Sequence, residues 1–122
     1  MNLKLYAGIK VILAEPQSSL RKQYLAIIKG LGCSDVIETG NMRDVCNALE
    51  EGGVDLLIGE AVLPEGKLTE VIHGMRHGQF GDNPFLIAMV LVSESDNELI
   101  EQVMDCGSDD ILLKPLDAGQ LQ

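Results

Sequence analysis

Four residues able to do chemistry stand where apolar runs end. Glu15 follows KVILA, Glu60 follows DLLIG, Ser93 follows FLIAMVLV and Lys114 follows ILL. Two carboxylates, a hydroxyl and an ammonium could hold a cation, share a proton or grip an anion if folding gathered them. Glu60 poses the sharpest question, because charge beside such an apolar run is costly unless it is paired or reaches water. Other candidates carry less. His73 and His77 in HGMRH stand four apart, as helical metal ligands can. However, Gly74 stands where the zinc protease pattern needs Glu, and no third ligand is evident. That pair reads as a solvated helix end, and Asp109-Asp110 as a polar loop. Cys33, Cys46 and Cys106 are odd in number and form no CxxC pair, which reads as reduced packing thiols in a cytoplasmic protein.

The elements that must position these residues follow from hydrophobic spacing. Lys10 to Ala14 reads as a buried strand, and Ser18 or Ser19 can cap the helix after it. Leu20, Tyr24, Ile27, Ile28 and Leu31 give that helix its apolar face, with Gly32 as the stop. Val36-Ile37 is a second strand. Val45, Ala48 and Leu49 mark a short helix ending at Gly52-Gly53. Val54 to Gly59 is the third strand, and Glu60 at its end need not be buried. Leu68, Val71, Ile72 and Met75 mark a third helix, and HGQFGDNP a loop. Phe85 to Val92 is the fourth strand. Ser95-Asp96-Asn97-Glu98 has the capping-box pattern before a fourth helix carrying Leu99, Ile100, Val103 and Met104. Gly107 ends it, and Ile111 to Leu113 is the fifth strand.

Apolar strands alternating with helices call for a parallel sheet covered on both faces, a doubly wound α/β domain. Sites in such domains lie beyond the carboxyl ends of the strands. That is where Glu15, Glu60, Ser93 and Lys114 fall. With 122 residues, 46% of them hydrophobic, the chain fits one domain over residues 1–122. Only a first turn of a fifth helix fits before Gln122. The domain is therefore expected to be the N-terminal part of a longer protein, or to leave one sheet flank open for association. The formal charge of −10 disfavours direct contact with nucleic acid or anionic membranes. No apolar run reaches a membrane span, and no signal peptide is indicated.

DLLIGEAVLP and, further on, CGSDDILLKP resemble the CheY-like receiver domain of two-component response regulators, from about Lys10 to Leu116. The resemblance implies a five-stranded sheet in the order 2-1-3-4-5 with a truncated or missing fifth helix. It also implies a cis Lys114-Pro115 peptide. It places Glu60 at the phosphoacceptor position and Glu15 in the acidic pocket. Lys114 falls at the phosphoryl-contact position, with Ser93 one residue beyond the hydroxyl position. The sequence departs from the pattern at Pro16, where a second acidic residue is usual, at Val92, where a hydroxyl is usual, and at Ile111, where an aromatic is usual.

The departures all weaken phosphoryl chemistry. Glu60 carries its oxygens about one bond, roughly 1.5 Å, further out than Asp, against a tolerance of roughly 0.5 Å at productive sites. Pro16 offers Mg²⁺ no side-chain oxygen, and Val92 cannot donate a hydrogen bond. No resident cofactor is expected, and at most a weak Mg²⁺ site at Glu15 and Glu60. The expectation is a degenerate receiver, not an enzyme. It would act in the cytoplasm as a phosphorylation-independent module for a protein partner: a histidine kinase, an output domain or a second copy. Its partner face would include Asn97, Glu101, Gln102 and Asp105, and Glu60 would act as a partial mimic of the phosphorylated state. Two alternatives stand beside it. One is a working phosphorelay receiver that accepts phosphoryl at an atypical site. The other is a nucleotide or flavin binder, which needs a phosphate-cradling loop that EPQSS supplies only in its serines.

Overall fold

The computed structural model describes residues 8–79, 81–92, 97–114 and 119, with the backbone alone at Asn97. Five parallel strands form the sheet: β1 (Lys10–Ala14), β2 (Asp35–Thr39), β3 (Leu56–Glu60), β6 (Ile87–Val92) and β7 (Asp110–Leu113). Their spatial order is β2-β1-β3-β6-β7. Among these strands that is the expected 2-1-3-4-5 order of a flavodoxin-like sheet. A two-stranded antiparallel hairpin, β4 (Val62–Leu63) and β5 (Gly66–Lys67), lies between β3 and the next helix.

β1 shows why these strands read as continuous apolar runs. Val11, Ile12, Leu13 and Ala14 are all fully buried. Val11 and Leu13 face Tyr24 and Ile28 of α1 (Ser18–Gly30). Ile12 and Ala14 belong to the opposite core, with α2 (Met42–Glu51), α3 (Leu68–Arg76) and α4 (Asn97–Asp105). Each fully buried aliphatic side chain contributes about 1.5–3 kcal/mol. The two-sided core therefore fixes the register that brings the strand ends together.

Several boundaries differ from the sequence reading. α1 has Gln17 as its N-cap residue and no side-chain cap, so neither Ser18 nor Ser19 caps it. β3 begins at Leu56, not Val54, and takes in Glu60. β6 begins at Ile87. Phe85 is 87% exposed, because Asn83 bends the chain there by accepting the Phe85 N–H through Oδ1 (3.0 Å). The β4–β5 hairpin has no counterpart in the hydrophobic pattern. Its tip is Pro64-Glu65, and Glu65 adopts φ 77°, the left-handed region that non-glycine residues rarely enter. The capping box at Ser95, the Lys114-Pro115 peptide and any fifth helix lie outside the described residues.

At the amino end of the sheet, Arg76 ties three elements together. Its Nη1 donates to the carbonyls of Pro84 and Leu86 (2.7 Å each), Nε to that of Gly107 (3.0 Å), and Nη2 to Asp109 Oδ2 (2.7 Å). The same Asp109 oxygen accepts the Ala88 N–H at 2.7 Å. Asp109 is therefore a structural acceptor and not merely loop polarity.

Candidate functional site

Parallel register gathers Glu15, Glu60 and Lys114. Glu15 follows the last residue of β1, and Ala14 pairs with Gly59 of β3. Glu60 pairs with Leu91 of β6, and Val92 with Leu113 of β7. The Lys114 N–H donates to the Val92 carbonyl at 3.0 Å, so the lysine leaves the sheet directly beside the end of β6. Lys114 Nζ then lies 2.6 Å from Glu60 Oε2. Glu60 is more enclosed than a strand-end carboxylate need be, its side chain being only 15% exposed.

Gly59 sets the depth of this corner. A Cβ there would lie 2.7 Å from Ala14 Cβ and 2.9 Å from Leu68 Cδ2. The absent side chain lets the first residue of α3 close over the sheet end next to Glu60. Glycine inside a strand often marks such a close approach, and that was the available sequence signal. The Arg76–Asp109 clamp had none, because its partners are mostly backbone carbonyls.

Glu15 is 2% exposed. Its Oε1 accepts the Gln17 N–H at 3.2 Å, and Oε2 is buried with no hydrogen-bond partner among the described residues. Burial pushes the Glu60 carboxyl above its ordinary pKa. The contact with Lys114 pulls it down and the charge of Glu15 adds upward, but burial wins. For Lys114, burial pulls down. The contact and charge of Glu60, then Glu15 and Tyr24, outweigh it and raise the ammonium above its ordinary value. The lysine is thus held charged, while the carboxylate beside it bears the desolvation.

The remaining positions sort themselves. Pro16 is exposed at the loop after Glu15. Val92 is fully buried in the core shared with α2, α3 and α4, and Ile111 packs against that core half-buried. Ser93 lies outside the described residues. The rings of His73 and His77 meet at the end of α3 with centroids 4.5 Å apart and planes tilted by 52°. Among the described residues, no group of three His, Cys, Asp or Glu could hold a metal ion. Cys33 and Cys106 are buried and Cys46 partly so, and burial raises all three thiols.

A doubly wound α/β domain with charged groups converging at its carboxyl edge has its candidate site where such folds place theirs. Residues 11–122 match the family described as the response regulator receiver domain, and the chain belongs to that family. The transcriptional regulatory protein DpiA of Escherichia coli K12 is 24% identical over 112 residues, covering 90% of this chain and 47% of DpiA. The chain therefore spans about half the length of the curated relatives it matches. Two solved structures share the fold. The receiver domain of sensor histidine kinase PA1611 from Pseudomonas aeruginosa PAO1, with a magnesium ion in its active site cleft, has a TM-score of 0.81 at 20% identity, covering 95% of this chain and 93% of that one. The receiver domain of Saccharomyces cerevisiae Ssk1, crystallised with the phosphotransfer protein Ypd1, has a TM-score of 0.79 at 19% identity, covering 93% and 83%. Among the described residues, no helix is long and apolar enough to cross a membrane.

Proposed function

We propose that this receiver domain is a phosphorylation-independent protein-interaction module of a cytoplasmic two-component pathway. The observation that carries the reading is the 2.6 Å ion pair between Lys114 and Glu60. The cation that would grip a phosphoryl group already holds a carboxylate of the chain itself, in a charge-assisted contact. Glu60 stands as a permanent, partial mimic, with one charge where a phosphoryl carries close to two.

The donor set does not fit Mg²⁺. That ion needs near-octahedral oxygen ligation at short, strict distances. Among the described residues the corner offers two carboxylates, and Lys114 already occupies an oxygen of Glu60. Oε2 of Glu15, without a partner among the described residues, is one available ligand, and Pro16 adds no side-chain oxygen. Val92, buried among aliphatic side chains, has no hydroxyl to offer a transferred group. Protein partners remain the natural ligands of a regulatory domain without this chemistry, and a kinase, an output domain or a second copy each fits the reading.

Amide NMR tests it. Adding Mg²⁺ with beryllofluoride is expected to leave the spectrum unchanged. Shifts centred on Glu15, Glu60 and Lys114 would overturn the reading in favour of a working phosphorelay receiver.

A further inference from the structure

We infer that the groove between α3 and α4 is a docking site for a basic, amphipathic segment of a protein partner. The inference rests on the module reading above, but it concerns a different surface from the Glu60 corner. Two adjoining cavities, of about 450 Å³ and about 240 Å³, share Lys67 and Gln102 and form one open trough.

Its walls are two facing polar stripes. Glu98, Gln102 and Asp105 recur at i, i+4 and i+7 on α4 and so lie on one face of that helix. Glu70 and His73 stand three apart on α3. The floor is closed by buried Thr69 and Cys106. Across the trough, Lys67 Nζ meets Gln102 Oε1 at only 3.5 Å, a weak tie.

Charge and apolar surface together select the occupant. Among the described lining residues, three carboxylates, Glu70, Glu98 and Asp105, face one lysine, Lys67. The chain as a whole carries −10, so its field draws cations and repels anions. At one end the trough meets Val62, 49% exposed, and half-buried Leu99. A segment with Lys or Arg on one side and aliphatic residues on the other satisfies both features, as peptides that dock in helical grooves do. Val62 pairs with Lys67 in the hairpin that begins two residues after Glu60. The Val62 end of the groove is therefore joined to Glu60 through Ala61 alone.

The test uses a short fluorescein-labelled amphipathic peptide of Lys and Leu at helical spacing, with a Glu-for-Lys counterpart as control. Anisotropy is expected to show binding of the basic peptide alone, with amide shifts along α3, α4 and Val62. Glu70→Lys combined with Asp105→Lys is expected to weaken binding about tenfold. Asp35→Lys combined with Glu51→Lys changes the net charge equally, away from the groove, and is expected to leave binding unchanged. Equal weakening by both pairs, shifts spread over the acidic surface, or no binding by the wild type would each overturn the inference. The beryllofluoride titration reports separately on the module reading, so the two failures are distinguishable.

Discussion

Replacing Lys114 by glutamine removes the cation from Glu60 while keeping a polar side chain that is one bond shorter. At 2.6 Å, two unit charges attract by roughly 6 kcal/mol at an effective dielectric of about 20. Most of that attraction is offset by desolvation, as the upward direction of the Glu60 pKa shows. Exposed ion pairs contribute up to about 1 kcal/mol, and losing one partner of a fully buried pair costs about 3–5 kcal/mol. With Glu60 15% and Lys114 32% exposed, the expected loss for Lys114→Gln near pH 7 is about 2 kcal/mol. Without the lysine, the Glu60 carboxyl is pushed further up. A carboxyl whose folded pKa exceeds its unfolded value favours folding below the unfolded value, and that advantage is lost as pH rises through the folded pKa. The deficit is therefore full at pH 7 and shrinks towards about pH 4, where Glu60 is protonated. At the alkaline end, the raised Lys114 pKa makes the wild-type advantage full below the ordinary lysine value of about 10.4. That advantage is lost as pH climbs through the folded value. Urea unfolding followed by circular dichroism measures these differences, and a cycle with Glu60→Gln should give a coupling of about 1–2 kcal/mol. An unchanged midpoint at pH 7, or a loss equal at pH 7 and about pH 4, would refute the reasoning.

Gly59→Ala is expected to cost about 1–3 kcal/mol, because the new methyl overlaps Ala14 and Leu68. A thermal midpoint equal to the wild type would mean that Leu68 does not close this corner. Asp109→Ala is expected to cost about 1–3 kcal/mol by leaving the Ala88 N–H and the Arg76 guanidinium short of an acceptor. Hydrogen exchange at the Ala88 amide should speed up accordingly, and unaltered protection there would argue that the clamp carries no weight.

How much of this was legible in the sequence depends on the range of the interaction. Strands buried on both faces, such as Val11 to Ala14, announce themselves as unbroken apolar runs, and their alternation with helices called for a parallel doubly wound sheet, while the strand order came from the resemblance to receiver domains. The approach of Glu15, Glu60 and Lys114 to one corner followed from their places at strand ends. Phe85 misled the pattern, since an apolar residue beside a strand looks like part of it until a local turn through Asn83 excludes it. The hairpin escaped because two-residue strands carry no periodicity. The 2% exposure of Glu15 also escaped, because enclosure at a sheet end depends on loops from several elements at once. Arg76 escaped for a related reason: carbonyl acceptors carry no side-chain identity, so nothing in the sequence marks Pro84, Leu86 and Gly107 as its partners.

The Arg76 clamp has a mechanical consequence. All its bonds lie at the amino end of the sheet, while the Glu60–Lys114 pair and the Val62 end of the groove lie towards the other end. Helices α3 and α4 are thus riveted near the end of α3 and, among the described residues, tied further along the groove by the 3.5 Å Lys67–Gln102 contact. A segment docked between them, as proposed above, is expected to part the helices first at the hairpin end, where the polar tie is weakest, and last at Arg76.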